Sequence, residues 1–151
     1  MSIVILGSTT CKLCGKIIQE GDEYIAFPSF VLNQTDPLWK FNNSIVHLSC
    51  LRDEPYGEVA LDMLRALKES LDAKICQVCG LPIKVADDFF TFGYLTSDRS
   101  SPVFEFNFLC FHIQHIRIWS QRLNAIERFK ILSGDPMWDS KFIEDTLSVL
   151  Y

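Results

Sequence analysis

The chain has 151 residues, 48% of them hydrophobic and twelve of them phenylalanine, and its 14 basic and 19 acidic side chains give a net charge of −5. So much apolar residue implies a real buried core, and an acidic surface repels phosphate backbones in general, which makes nucleic acid a secondary partner class. No uncharged apolar run approaches the roughly 18 residues that span a bilayer, and residues 3–6 are too short and lack the basic flank of a signal peptide, so no membrane partner and a cytoplasmic location are expected.

In chain order, residues 2–6 have strand propensity and stop at Gly7, which predicts an edge strand. Cys11 and Cys14 follow with two residues between them, and Gly15 after the pair relaxes the backbone of a tight turn. Residues 22–32 are rich in aromatic and β-branched side chains and predict a strand; 33–37 have turn chemistry. The return strand is expected at 39–42, where Trp39 and Phe41 alternate with Lys40 and Asn42, one face buried and one wet. His47 and Cys50 stand three apart, so on a helix they share a face. Arg52, Asp53, Glu54 and Pro55 close that short helix. Ala60, Leu64, Leu67 and Leu71 then recur at helical spacing and predict a rigid connector.

The second half repeats the first. Cys76, Cys79, His112 and His115 lie 65 positions after Cys11, Cys14, His47 and Cys50, with no insertion or deletion. Between the donors, Gly15 matches Gly80, Asp22 matches Asp87, Phe27 matches Phe92, Phe41 matches Phe106 and Asn42 matches Asn107. Residues 89–95 are apolar on both faces, so they are expected to be covered by the other repeat or by another protein; 104–108 form the return strand. A helix is predicted unbroken over 111–132, with Ile116, Trp119, Leu123 and Ile126 as its apolar stripe and Arg117, Arg122, Arg128 and Lys130 opposite. Ser133 and Gly134 end it, and Asp135 with Pro136 starts a last helix whose Trp138, Phe142, Ile143, Leu147 and Leu150 pack on the body.

Two cysteines on a knuckle and two further donors on one helix face suit tetrahedral zinc and leave no coordination position open, which favours a structural metal over a catalytic one. The expected ligands are Cys11, Cys14, His47 and Cys50 for one Zn2+, and Cys76, Cys79, His112 and His115 for a second. A lone C-x-x-C can instead be a redox pair, and a lone histidine in an apolar stretch is usually a satisfied core residue. Against both, all three histidines and five of the six cysteines fall in the repeated frame. Cys110 is left over at the position of Ile45, and is either a buried thiol or a replacement for His115. Cysteines placed as ligands, without a disulfide framework, fit a reducing compartment.

A cysteine knuckle, a β-hairpin and a helix whose first turn supplies the last two donors resembles a treble-clef zinc finger, over about residues 11–53 and 76–132. The paired sites are also similar to those of LIM domains, but the 32 residues between Cys14 and His47 are too many and a long segment separates the sites. The resemblance implies an α+β fold of two tandem treble-clef-like units, 1–75 and 76–151, packed as one compact unit with a C-terminal helix. Units this small need a metal or staple, since zinc supplies about 10 to 16 kcal/mol of apparent binding free energy that counts toward folding.

A scaffold of this kind specifies no activity. The favoured function is a non-enzymatic protein-interaction protein, such as a bacterial immunity protein or an adaptor, whose acidic surface speeds capture of a partner. HNH endonucleases share the treble clef but need a histidine base beyond the zinc cluster, and here none is left over; Asp87 and Asp88, adjacent on a strand, are expected to face opposite ways. Nucleic-acid binding would use Arg117, Arg122, Arg128 and Lys130 with Trp119 or Tyr94 for stacking. A redox switch through the C-x-x-C pairs is the weakest alternative.

Overall fold

Each half of the chain begins with a knuckle that closes on its first cysteine. The structure, a computed structural model, describes residues 3–151. The Gly15 amide donates to the Cys11 carbonyl at 2.8 Å, and the Gly80 amide donates to that of Cys76 at 2.9 Å. Both glycines adopt positive φ, 72° and 70°, where a side chain would be strained. Each knuckle leads into a three-residue antiparallel hairpin. β1 (Tyr24–Ala26) pairs with β2 (Ile45–His47), matching Tyr24 to His47; β3 (Phe89–Thr91) pairs with β4 (Cys110–His112), matching Phe89 to His112. The histidine is thus the last residue of the second strand in each hairpin.

The helices are α1 (Leu48–Arg52), α2 (Gly57–Asp72), α3 (Arg122–Leu132) and α4 (Ser140–Leu150). The architecture is a mixed one of two small hairpins and covering helices. Asp139 caps α4 by accepting the Phe142 amide at 2.8 Å, so the helix starts four residues beyond Pro136, while Asp135 is used by the Met137 amide in the preceding turn.

The expected return strands at 39–42 and 104–108 are corrected. Trp39–Phe41 and Phe104–Phe106 are 3₁₀ turns, and the ladders form further along. The alternation that suggested a strand comes from the turns burying Phe41 and Phe106 while Trp39 remains 39% exposed. Asn42 ends the first turn. Its Oδ1 accepts the amides of Phe30 and Val31, its Nδ2 donates to the Val31 carbonyl, and Asn107 makes the same three bonds with Leu95 and Thr96. The next residues, Asn43 and Phe108, have φ of 49° and 63° and turn the chain back toward the ladder. These asparagine bonds draw 30–31 and 95–96 away from strand pairing, which explains why the long strands expected at 22–32 and 89–95 shorten to three residues.

Two further expectations fail. Of the edge strand at 2–6, residue 2 lies outside the described residues, and the remainder forms no strand; Ile3 and Ile5 are 79% and 61% exposed. The helix expected over 111–132 is broken three ways: Phe111 and His112 belong to β4, Ile113–Ile118 is a 3₁₀ segment, and Trp119 is extended (φ −64°, ψ 126°) before α3 begins. The break lets the Trp119 ring pack on Phe111 and Phe106, with centroids 4.8 and 5.6 Å away. It also changes the buried face of α3 to Ala125, Ile126, Phe129 and Leu132, leaving Leu123 67% exposed. On α2, Ala60 is buried as expected but Leu71 is 47% exposed.

Two aromatic cores result. Phe27 packs on Phe41 at 5.4 Å in the first half, and Phe92 on Phe106 and Phe129 at 5.6 and 5.4 Å in the second. The halves meet where Tyr94 enters the first core against Phe30 at 5.8 Å. Its hydroxyl donates to Asp36 Oδ2 at 3.1 Å, as do the Ser97 amide at 2.8 Å and the Ser97 hydroxyl at 3.1 Å, while Asp36 Oδ1 accepts the Leu38 amide at 2.9 Å. The segment before α4 also returns to the first half, through the Gln34 amide to the Met137 carbonyl and the Asp139 amide to the Leu32 carbonyl. Part of the apolar 89–95 segment is therefore covered by the other repeat, whereas Phe89 is 41% exposed.

Asp36 is 6% exposed and accepts four hydrogen bonds, so removing its carboxylate strands buried donors on both halves. Asp36→Ala is expected to lower unfolding stability by about 3 kcal/mol in denaturant titration; a loss below about 0.5 kcal/mol contradicts the assignment. Burial, and then the nearby Asp36 charge, hold the Tyr94 phenol above its ordinary range. A phenol raised on folding contributes stability that is complete below the unfolded value near 10 and drains as pH rises beyond it. The alkaline fall in stability above about pH 10 is accordingly expected to shrink in Tyr94→Phe.

Candidate metal centres

In the first half, the knuckle presents Cys11 and Cys14, the end of β2 presents His47, and α1 presents Cys50. In the second, the corresponding positions are Cys76 and Cys79, His112 at the end of β4, and His115 in the 3₁₀ segment. Each set of four donor atoms lies within 4.8 Å of one another, so the structure brings together all eight residues singled out by the repeat, and each cluster can hold a metal ion. The second pair in each set is not on a single helix, as the i, i+3 spacing suggested. The histidine precedes the helical turn and its amide is free to donate to the Cys11 sulfur at 3.4 Å.

The separations fit a metal pocket. Around a tetrahedral zinc with Zn–S of about 2.3 Å and Zn–N of about 2.05 Å, sulfur and nitrogen donors stand about 3.6 Å apart. His47 Nδ1 is 3.4 Å from Cys14 Sγ and 3.8 Å from Cys50 Sγ. His112 Nδ1 is 3.6 Å from Cys79 Sγ, and His115 Nδ1 is 3.5 Å from Cys76 Sγ. The donor chemistry, three thiols and one imidazole or two of each, is also that of zinc sites.

Protonation follows the same geometry. Burial opposes ionisation of Cys11, but backbone N–H groups of Cys14, His47 and Leu13 outweigh it and bring the thiol down to about 6. Cys76 behaves alike, falling to about 5 against burial through the amides of Cys79 and His112 and the His115 ring. Cys50 is pushed up to about 11, first by burial and then by Cys14 and Cys11, because a second negative charge beside theirs is unfavourable without a cation. His47 is raised chiefly by its hydrogen bond with Cys14.

Cys110 does not join the second cluster. It is buried, and its thiol donates to Thr91 Oγ1 at 3.3 Å, so the alternative in which it replaces His115 is not the arrangement seen. Two residues that contact the clusters carried no role in the sequence: Asp22 and Asp87, each beside the Nε2 atom of a cluster histidine. Their match in the 65-residue frame was the signal available. Asp87 and Asp88, expected on a strand, instead precede β3, and the Asp88 backbone carbonyl accepts the Ile113 amide. Comparison with known proteins yields no match to a family model, to a curated protein or to a solved structure.

Cys14→Ser is expected to remove one of two metal equivalents in elemental analysis and to uncouple the melting of the first half; two retained equivalents with unchanged melting refute the site. His115→Ala is expected to lower metal content by one equivalent while Cys110→Ala leaves it intact, and the opposite pattern moves the fourth donor to Cys110.

Proposed function

We propose that the chain is a non-enzymatic protein-interaction protein of adaptor or immunity type, its fold held by two structural Zn2+ ions in tandem treble-clef-like units. The observation that supports this most is the pair of four-donor clusters, each with its donor atoms within 4.8 Å of one another. A site with four protein donors has no position open for water or substrate, so zinc there supplies cross-linking rather than a nucleophile. The three histidines of the chain all lie in the clusters, which leaves none as a general base for an HNH-type reaction.

Nucleic-acid binding loses support from the fate of the basic residues. Arg122 donates to the Leu150 carbonyl at 3.0 Å, Arg128 donates to the Pro102 carbonyl at 2.6 Å and pairs with Glu105, and Lys130 lies over the Tyr151 ring at 5.4 Å. Among the described residues, Arg117 alone of the four makes no such contact, and Tyr94, one of the two proposed stacking rings, is buried at 2% exposure. The charge of −5 adds to this. No helix is long and apolar enough to cross a membrane.

Affinity capture of the zinc-loaded chain from its native cell, read by mass spectrometry, is expected to yield one dominant stoichiometric protein. Retention on nucleic acid that falls steeply as salt rises from 50 to 200 mM, as counterion release requires, overturns the proposal in favour of nucleic-acid binding.

A further inference from the structure

We infer that Asp22 and Asp87 are positioning residues for the metal sites, each fixing a histidine in the tautomer and orientation that offers Nδ1, not Nε2, to the ion; this rests on the zinc reading above. The two halves make the arrangement independently. Asp22 Oδ2 lies 3.3 Å from His47 Nε2 and accepts the Gln19 amide at 2.7 Å. Asp87 Oδ2 lies 3.5 Å from His112 Nε2 and accepts the Lys84 amide at 2.8 Å. In both, one carboxylate oxygen is pinned by the turn between knuckle and hairpin and faces the ring atom that points away from the thiols.

An imidazole that binds a cation through one nitrogen must carry its proton on the other, and a fixed acceptor at that second nitrogen sets both the tautomer and the ring plane. The acceptor is charged, so it also raises the basicity of the coordinating nitrogen. The histidine side chains are only 14% and 13% exposed, which keeps water from competing for the Nε2 proton. A purely structural role for the aspartates would need only the amide bonds of Gln19 and Lys84. The oxygen that accepts the turn amide also stands 3.3 or 3.5 Å from the ring nitrogen, which sets the turn against the ring. His115 provides an internal comparison: its Nδ1 approaches Cys76 in the same way, but among the described residues no carboxylate stands at its Nε2.

The experiment uses the full chain, 15N-labelled and zinc-loaded, with metal counted by native mass spectrometry. Long-range proton–nitrogen correlation is expected to show His47 and His112 bound through Nδ1 with a slowly exchanging proton on Nε2, and a faster-exchanging one on His115. In competition with a chromogenic chelator, Asp22→Ala and Asp87→Ala are each expected to weaken zinc about 10- to 100-fold at their own site only. Asp98→Ala, which removes a cap from an exposed turn at Ser100, leaves both sites unchanged. Asp22→Asn keeps an acceptor oxygen at the turn without the charge and is expected to fall between wild type and alanine, so the test survives if the alanine variant does not fold. Two bound ions with Nε2-ligated His47 and His112, or unchanged affinity in both alanine variants, overturn the positioning role alone. Wild-type chain without bound metal overturns the zinc reading itself.

Discussion

Each half of the molecule depends on holding two donor pairs, separated by 32 residues of chain, within one cluster. Nothing local does this. A three-residue hairpin is marginal in water, and each knuckle contributes few hydrogen bonds of its own. The pieces are tied by single bonds at defined places: the Lys12 amide to the Ile45 carbonyl in the first half and the Gln77 amide to the Cys110 carbonyl in the second. These join knuckle to second strand and leave four donors facing inward. Burial first, and then the neighbouring Cys14 and Cys11, hold the Cys50 thiol above its ordinary range, and a cation among the donors would relieve both effects.

The repeat is kept where geometry is special and abandoned where the halves join. Glycine at 15 and 80, aspartate at 22 and 87, phenylalanine at 41 and 106 and asparagine at 42 and 107 occupy the same roles twice. The joint uses residues on which the repeats disagree. Tyr94 corresponds to Ser29 and Asp36 to Ser101, so the buried phenol–carboxylate contact exists once and in one direction. Were both halves to carry both residues, two competing contacts would be possible. The asymmetry specifies one packing.

The sequence made the clusters legible because metal donors are few, chemically distinctive and spaced by the geometry of the knuckle. The hairpins were legible only in outline. Alternation at Trp39–Asn42 has period two, which a short 3₁₀ turn with one buried aromatic imitates over four residues. What decided the outcome was the Asn42 side chain bonding to residues 11 and 12 positions earlier, a contact no local pattern encodes. The failure over 111–132 has the same origin. An apolar stripe ran through the segment, but Phe111 is claimed by strand pairing with Phe90 and Trp119 by the aromatic core, and satisfying both breaks the helix between them. Tertiary contacts overrode a propensity that was locally consistent.

The same distinction bears on function. Four basic residues at helical spacing read as a positive face only if the segment is one helix and the side chains are free. Once the helix breaks, Arg117 and Arg122 no longer share a continuous face, and Arg122 and Arg128 are drawn to carbonyls at Leu150 and Pro102, where they satisfy chain ends and turns that would otherwise lack donors. Arginine's several N–H groups suit it to that task, and each such bond occupies donors that a phosphate would otherwise engage, while Glu105 also offsets the charge of Arg128. The outer side of α3 is left with Leu123 and Ile131, 67% and 69% exposed, on a chain of net charge −5. Contacts at such residues gain by removing apolar area from water rather than by releasing counterions, which is the physical sense of the proposal that the partner is a protein.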